Sequence, residues 1–338
     1  SIIMKMQVTE AEPAPSTVQK QALRRRLQRR IASDGKIVLP AVPGMLDDYL
    51  SRCEHIFSAV GRDLSDKERD RLRDALAEQL TKAFAGSQRA TIAISYSAAV
   101  ERPLSYTVTA HCPDIAQTYE AWVGTRPEPY FGHHADARVL TATKRLDRTP
   151  RPPVLDIGAG TGRNTLALAR LGHRVDAVEL TPKFATTLIA AARHERLPVR
   201  VICENIFSCG HLLRRDYALI IVSEVTSDFR SVEEWRALLE LSADCLADDG
   251  QLVVNAFVAG EHYSDEGSAR EFAQHAYSFF LLPSEVRSAC HGLPLELATE
   301  EDVHDYEKSH LPEGAWPPTP WYTNWVSGRD VFDLPKDS

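Results

Sequence analysis

No stretch of this chain approaches the roughly 20 consecutive apolar residues of a membrane span, so neither a transmembrane helix nor a membrane partner is expected. The first residues lack a charged leader followed by an apolar run, and secretion is not expected either. Six cysteines (53, 112, 203, 209, 245 and 290) form no CxxC pair and no zinc-finger spacing. Cys53 with His55, and Cys209 with His211, stand two positions apart and point away from each other on a helix, so no metal site is expected. That cysteine usage fits a reducing, cytoplasmic setting. A basic excess is also missing: the formal charge is −8, which argues against nucleic acid as a partner.

What charge there is lies unevenly. Lys20, Arg24, Arg25, Arg26, Arg29 and Arg30 crowd around Leu23, Leu27 and Ile31, which recur every fourth position. This spacing predicts a basic amphipathic helix, whose apolar stripe either docks on the body or leaves the helix for an acidic partner. With residues 1–19, polar and proline-containing, it makes an arm over 1–39.

Hydrophobic content of 43% with 25% charge belongs to an ordinary globular protein, long enough for a large domain and a smaller companion. Residues 40–112 read as a small α+β domain. A helix runs over 45–60, and a second opens on the capping-box pair Ser65 and Glu68 and carries Leu72, Leu76, Leu80 and Phe84 on one stripe. Strands follow over 90–96 and 104–110. Residues 113–150 read as an interrupted helical connector that folds over the next domain as a lid. Beyond Thr149-Pro150-Arg151-Pro152-Pro153, strands at 154–157, 175–179, 199–203, 217–222 and 250–257 alternate with helices, the pattern of a doubly wound parallel sheet.

The first of these strands runs straight into Gly158-Ala159-Gly160-Thr161-Gly162 and then a helix. Glycines let backbone approach a ligand with no Cβ in the way, and the helix N-terminus adds free N–H groups. Glu179 ends the second strand, where a carboxylate accepts hydrogen bonds from both hydroxyls of a ribose. A nucleoside-containing ligand follows. A dinucleotide fingerprint would place its third glycine where Arg163 stands, which disfavours a nicotinamide-dependent oxidoreductase.

With Asp156 two places before the first glycine, the pattern resembles motif I of class I S-adenosylmethionine-dependent methyltransferases. Gly162-Arg163-Asn164-Thr165-Leu166 and Gly172-His173-Arg174-Val175 are similar to the tellurite-resistance type within that superfamily. The resemblance implies a Rossmann-like, seven-stranded, mostly parallel sheet over 151–334, closed by an antiparallel pair at 295–299 and 321–327. It further implies S-adenosyl-L-methionine as cofactor, its methionine part cradled by Gly158, Ala159, Gly160 and Gly162 and oriented by Asp156. Glu179 would hold the ribose. Asn205 would accept from the adenine amino group in place of the family's usual Asp, and Ile206 would pack on the ring. Tyr130, Asn164, Leu180 and Ser223 complete the expected cofactor site.

The methyl acceptor is expected beyond the ends of the fourth and fifth strands. Glu224 is the candidate acid or base there, with His262 and Tyr263 beside it, Tyr130, His133 and His134 ahead of motif I, and Trp316, Trp321, Tyr322 and Trp325 as core or pocket wall. The expected reaction is methyl transfer to an O or N atom of a small molecule or peptide. A protein methyltransferase recruiting its target through the N-terminal domain, and a non-catalytic cofactor-binding protein, are the alternatives.

Overall fold

The computed structural model describes residues 16–126, 128–261, 263 and 267–331. Residues 1–15 of the expected arm, His262 and residues 332–334 of the expected catalytic domain lie outside them. The chain divides into two compact units. The first takes in the chain up to Ala83 and Thr91–His111, and the second Phe84–Ala90 and everything from Cys112 onward.

The first unit begins with α1 (Thr17–Gln28), opened by a capping box between Ser16 and Gln19. None of its residues is buried, and Leu23 and Leu27 are 55% and 64% exposed, so the apolar stripe does not dock as one reading expected. Strand β1 (Ser33–Pro40) follows, then α2 (Leu46–Ala59), α3 (Asp66–Gly86), β2 (Thr91–Ala98) and β3 (Ser105–His111). The sheet is antiparallel with β2 at its centre. Strand β1 lies where the sequence reading placed the arm. As an edge strand it exposes one side of its ladder, and its polar, Gly35-containing first half and terminal Pro40 hid it. Leu50, Cys53 and Phe57 of α2, Leu72, Leu76 and Leu80 of α3, and Ile92 and Ile94 of β2 supply the buried side chains.

Arg62, 6% exposed, staples this unit. Its guanidinium donates to the carbonyls of Gln28, Arg29 and Ile31 after α1, of Val60, and of Ala99 and Arg102 in the β2–β3 turn, at 2.5–3.3 Å. Arg62→Met leaves those carbonyls to whatever water can reach them. It should cost the unit about 2–3 kcal/mol in a urea titration, the scale of a few charge-assisted bonds. A loss below about 0.5 kcal/mol would show that the carbonyls need no such partner.

The second unit starts with α4 (Ile115–Gly124) and α5 (Ala137–Thr143), then alternates strand and helix. The order is β4 (Val154–Ile157), α6 (Arg163–Arg170), β5 (Val175–Val178), α7 (Pro182–His194), β6 (Val199–Ile202), β7 (Tyr217–Val222), α8 (Val232–Cys245) and β8 (Leu246–Val254). These strands form one parallel sheet ordered β6-β5-β4-β7-β8. Period-two alternation sends Leu155, Ile157, Ile220 and Val222 toward Trp235 and Leu238 of α8. Val154, Leu219 and Ile221 go the other way, against Val139 of α5 and Leu168 of α6. The sheet thus has helices on both faces, and β4 and β7, buried throughout, are its apolar centre.

Strand β8 starts at Leu246, earlier than expected, and shifts register between Tyr217 and Leu219 of its partner. The short β9 (Phe257–Val258) and β10 (Phe280–Leu281), with α9 (Ser268–His275) between them, pair parallel in a separate ribbon. They are followed by α10 (Pro283–Ser288), α11 (Val303–His310) and α12 (Tyr322–Val326). The expected antiparallel closing pair is not found among the described residues: 295–299 is irregular and 322–326 is helical, so the sheet has five strands rather than seven.

Candidate active site

Switching from strand β4 to helix α6 requires a tight reversal, and Gly158, Gly160 and Gly162 take it with φ of 70°, 57° and 102°. At Gly158 the restriction is also spatial, since a Cβ there would stand 2.2 Å from a methyl of Val225. Glu179, 7% exposed at the end of β5, accepts the Gly160 N–H at 2.9 Å and the Thr181 N–H at 2.7 Å, one on each oxygen. Burial pushes its carboxyl above the usual range, and the two backbone donors pull against that. Each oxygen keeps a second lone pair for a ligand hydroxyl.

Asp156 does not face the loop's open side. It is buried on β4, accepts the Thr165 hydroxyl at 2.6 Å, and ties strand to helix; burial pushes its carboxyl up to about 7. Asn205 spends one amide-oxygen lone pair on the Phe207 N–H at 2.9 Å, an Asx turn that leaves the side chain exposed. Ile206 belongs to the core rather than to an open wall. The apolar surface at the strand ends comes instead from Leu180 and Phe207, 40% and 41% exposed.

Tyr130 gives its hydroxyl to Glu128 at 3.0 Å and joins Trp122, Phe131 and Phe184 in one aromatic cluster. The Phe131 ring reaches to 3.2 Å from where a Gly160 Cβ would be. Tyr119 adds an edge to Phe184 and donates to Asp228 at 3.0 Å, and Arg89 also binds Asp228. His133 and His134 are exposed.

A buried charge network joins the glycine loop to the end of β7. Arg163, the first residue of α6, contacts Asp136 and lies 3.5 Å from Glu224. Asp136 also accepts from Ser223 at 2.5 Å and from the Asn164 amide at 3.2 Å, and gives its own N–H to Asn164 at 2.9 Å. Asn164 and Ser223, expected as ligand contacts, are thus both held by Asp136. Burial would raise the Asp136 carboxyl, but Arg163 and these donors hold it below its usual range. Burial pushes Glu224 up to about 7 against the pull of Arg163, with Asp136 and Glu307 adding to the rise.

Glu224 adopts φ of 61°, uncommon for a residue with a Cβ, and its N–H is pinned by Asn255 Oδ1 at 2.6 Å. It lines a cavity of about 460 Å3 together with Tyr263, Phe257, Phe280 and Trp325. The structure therefore brings Glu224 and Tyr263 together. Asp136, Asn255 and Asp228 were not singled out from sequence, and Arg163 only as a departure from the dinucleotide pattern and as part of the segment 162–166 that resembles the tellurite-resistance type. The signal was local for Arg163 alone, a long cation directly after the glycine loop.

Strand, glycine loop, helix and an acid at the end of the adjacent strand make a Rossmann-like arrangement. Residues 154–250 match the family described as methyltransferase domain. Comparison with curated protein sequences yields no match. Among solved structures, TehB from Haemophilus influenzae aligns at 14% identity and TM-score 0.37 over 58% of this chain and 67% of its own. Geranyl diphosphate C-methyltransferase from Streptomyces coelicolor, complexed with Mg2+, geranyl diphosphate and S-adenosyl-L-homocysteine, aligns at 17% and 0.42 over 57% and 75%. A protein of echinomycin biosynthesis aligns at 20% and 0.33 over 39% of this chain, which spans 57% of that protein's length.

Proposed function

We propose that the second unit binds S-adenosyl-L-methionine at the glycine loop and transfers its methyl group to a small-molecule or peptide acceptor seated against Glu224. The observation that supports this most is Glu179: a buried carboxylate whose two oxygens are fixed by backbone N–H groups, one of them from the loop itself. Oriented in this way, it is ready to take two ribose hydroxyls, with Leu180 and Phe207 as apolar flanks for the base. The cofactor supplies an activated methyl group. The chain supplies position: the loop fixes the donor, and Arg163 links that loop to Glu224 on the acceptor side. Of the aromatic connector residues, Phe131 reaches the loop, at Gly160.

Glu179→Ala should weaken S-adenosylhomocysteine binding by about 1–3 kcal/mol, the scale of lost charge-assisted hydrogen bonds, with the fold retained. Calorimetric titration of the variant checks this; an unchanged Kd would move the ribose elsewhere.

A further inference from the structure

The cavity beside Glu224 has a one-sided chemistry. At about 460 Å3 it has the size of a small-molecule site. Two edge-to-face aromatic pairs line it, Phe257 with Trp325 at 5.1 Å and Tyr263 with Phe280 at 5.5 Å. Three carboxylates, of Glu224, Glu301 and Asp302, also stand in the wall, and none of the described wall residues is lysine or arginine. Glu301 is already paired with Arg138 at 3.2 Å, and Asp302 caps α11 through the Asp305 N–H at 2.9 Å. Glu224 is placed differently. Its nearest cation, Arg163, is bound more closely by Asp136, so the ionised trio Asp136, Arg163 and Glu224 is one positive charge short.

A buried negative excess beside several ring faces is the recognition chemistry of an organic cation, attracted by the carboxylate and by the negative faces of the rings. We propose that this cavity binds an organic ammonium bearing an aromatic or bulky apolar group, with its nitrogen against Glu224. The identity of this ligand as the methyl acceptor rests on the methyl-transfer reading; its recognition rests on the cavity wall alone.

For a bound primary or secondary ammonium, one N–H proton passes to the Glu224 carboxylate. That leaves a neutral amine with its lone pair free and a neutral carboxylic acid. Arg163, Asp136, Glu307 and Tyr322 act on Glu224 electrostatically, with His304, Glu301, Asp302 and Tyr263 in the same cavity wall, and burial among them lets both of its forms exist near neutral pH.

The test uses the full chain without cofactor, titrated calorimetrically with trimethyl(2-phenylethyl)ammonium, 2-phenylethylamine and the neutral 2-phenylethanol. Both cations are expected to bind about tenfold or more tightly than the alcohol. Glu224→Gln should bring that ratio below about threefold with the alcohol's affinity unchanged, whereas Glu301→Gln keeps the ratio. Phe257→Leu, which leaves the charge cluster intact, should lower cation affinity about threefold or more. Equal binding of alcohol and cations, a preference that survives Glu224→Gln, or no binding of any probe at about 10 mM overturns the proposal. S-adenosylhomocysteine is titrated separately. Cation preference without its binding would retire the methyl-transfer reading alone, and its binding without cation preference would retire this inference alone.

Discussion

Arg163→Met is expected to destabilise the second unit by about 3–5 kcal/mol, because it orphans two buried acids at once. The guanidinium is 9% exposed and sits between Asp136 and Glu224, with side chains 14% exposed each. Burial alone would lower the guanidinium pKa, and the two carboxylates reverse this and raise it. Methionine matches the volume but leaves Asp136 with only the Ser223 and Asn164 donors. For a unit of this size the loss corresponds to a fall in Tm on the order of 10 °C. Adding Asp136→Asn to Arg163→Met should recover a good part of it, since one orphaned charge is then gone. A single variant that melts within about 1 °C of the parent would mean that the cluster contributes no net stability.

The second large effect concerns pH. Asp156 is held up to about 7 in the folded chain by burial, against 3.8 when free. Between those values the native state keeps a proton that the unfolded chain has lost. Stability from this group is therefore fully present below about pH 4 and falls as pH rises to about 7, by up to about 4 kcal/mol. Asparagine carries no charge to desolvate and still accepts the Thr165 hydroxyl. Asp156→Asn should accordingly match the parent near pH 4 and exceed it progressively up to pH 8. Glu224, pushed up to about 7 as well, gives both proteins a slope of the same sign, so the difference between them is the informative quantity. Urea titrations at pH 5, 6, 7 and 8 measure it, and parallel curves would show that Asp156 is ionised in the fold throughout.

Much of the sheet was legible because its signals are local. Tyr217–Val222 is an unbroken apolar run and Val154–Ile157 is apolar but for Asp156, and both strands fall where those runs stand. The glycine loop and Glu179 were readable for the same reason, as a short motif and one acid at a strand end. The C-terminal segment misled. Trp321, Thr323 and Trp325 look like strand alternation, yet Trp321, Tyr322, Trp325 and Val326 carry the equally good helical spacing, and the helix is what forms. Leu295 and Leu297 alternate too, but Leu297 is 51% exposed and the segment has no neighbouring strand.

The charge network was out of reach for another reason. Asp136, Arg163, Ser223 and Glu224 come from three distant stretches, and what joins them is the meeting of the α5 entry with the ends of β4 and β7. No spacing along the chain encodes that. Ser223 and Asn164 were expected as cofactor contacts, but their partner in the fold, Asp136, stands at the N-cap of a short helix where an acid is unremarked.

The glycine loop and Glu179 are proposed to form a site for S-adenosyl-L-methionine rather than a dinucleotide. Titrating S-adenosylhomocysteine and NAD separately into the full chain, with Tm recorded alongside, tests it most directly. Saturable S-adenosylhomocysteine binding with a Kd on the order of micromolar is expected, with a Tm rise that grows with ligand concentration, and no comparable response to NAD. Equal binding of NAD, or no heat and no Tm change with S-adenosylhomocysteine, would mean that the loop and Glu179 do not form such a site.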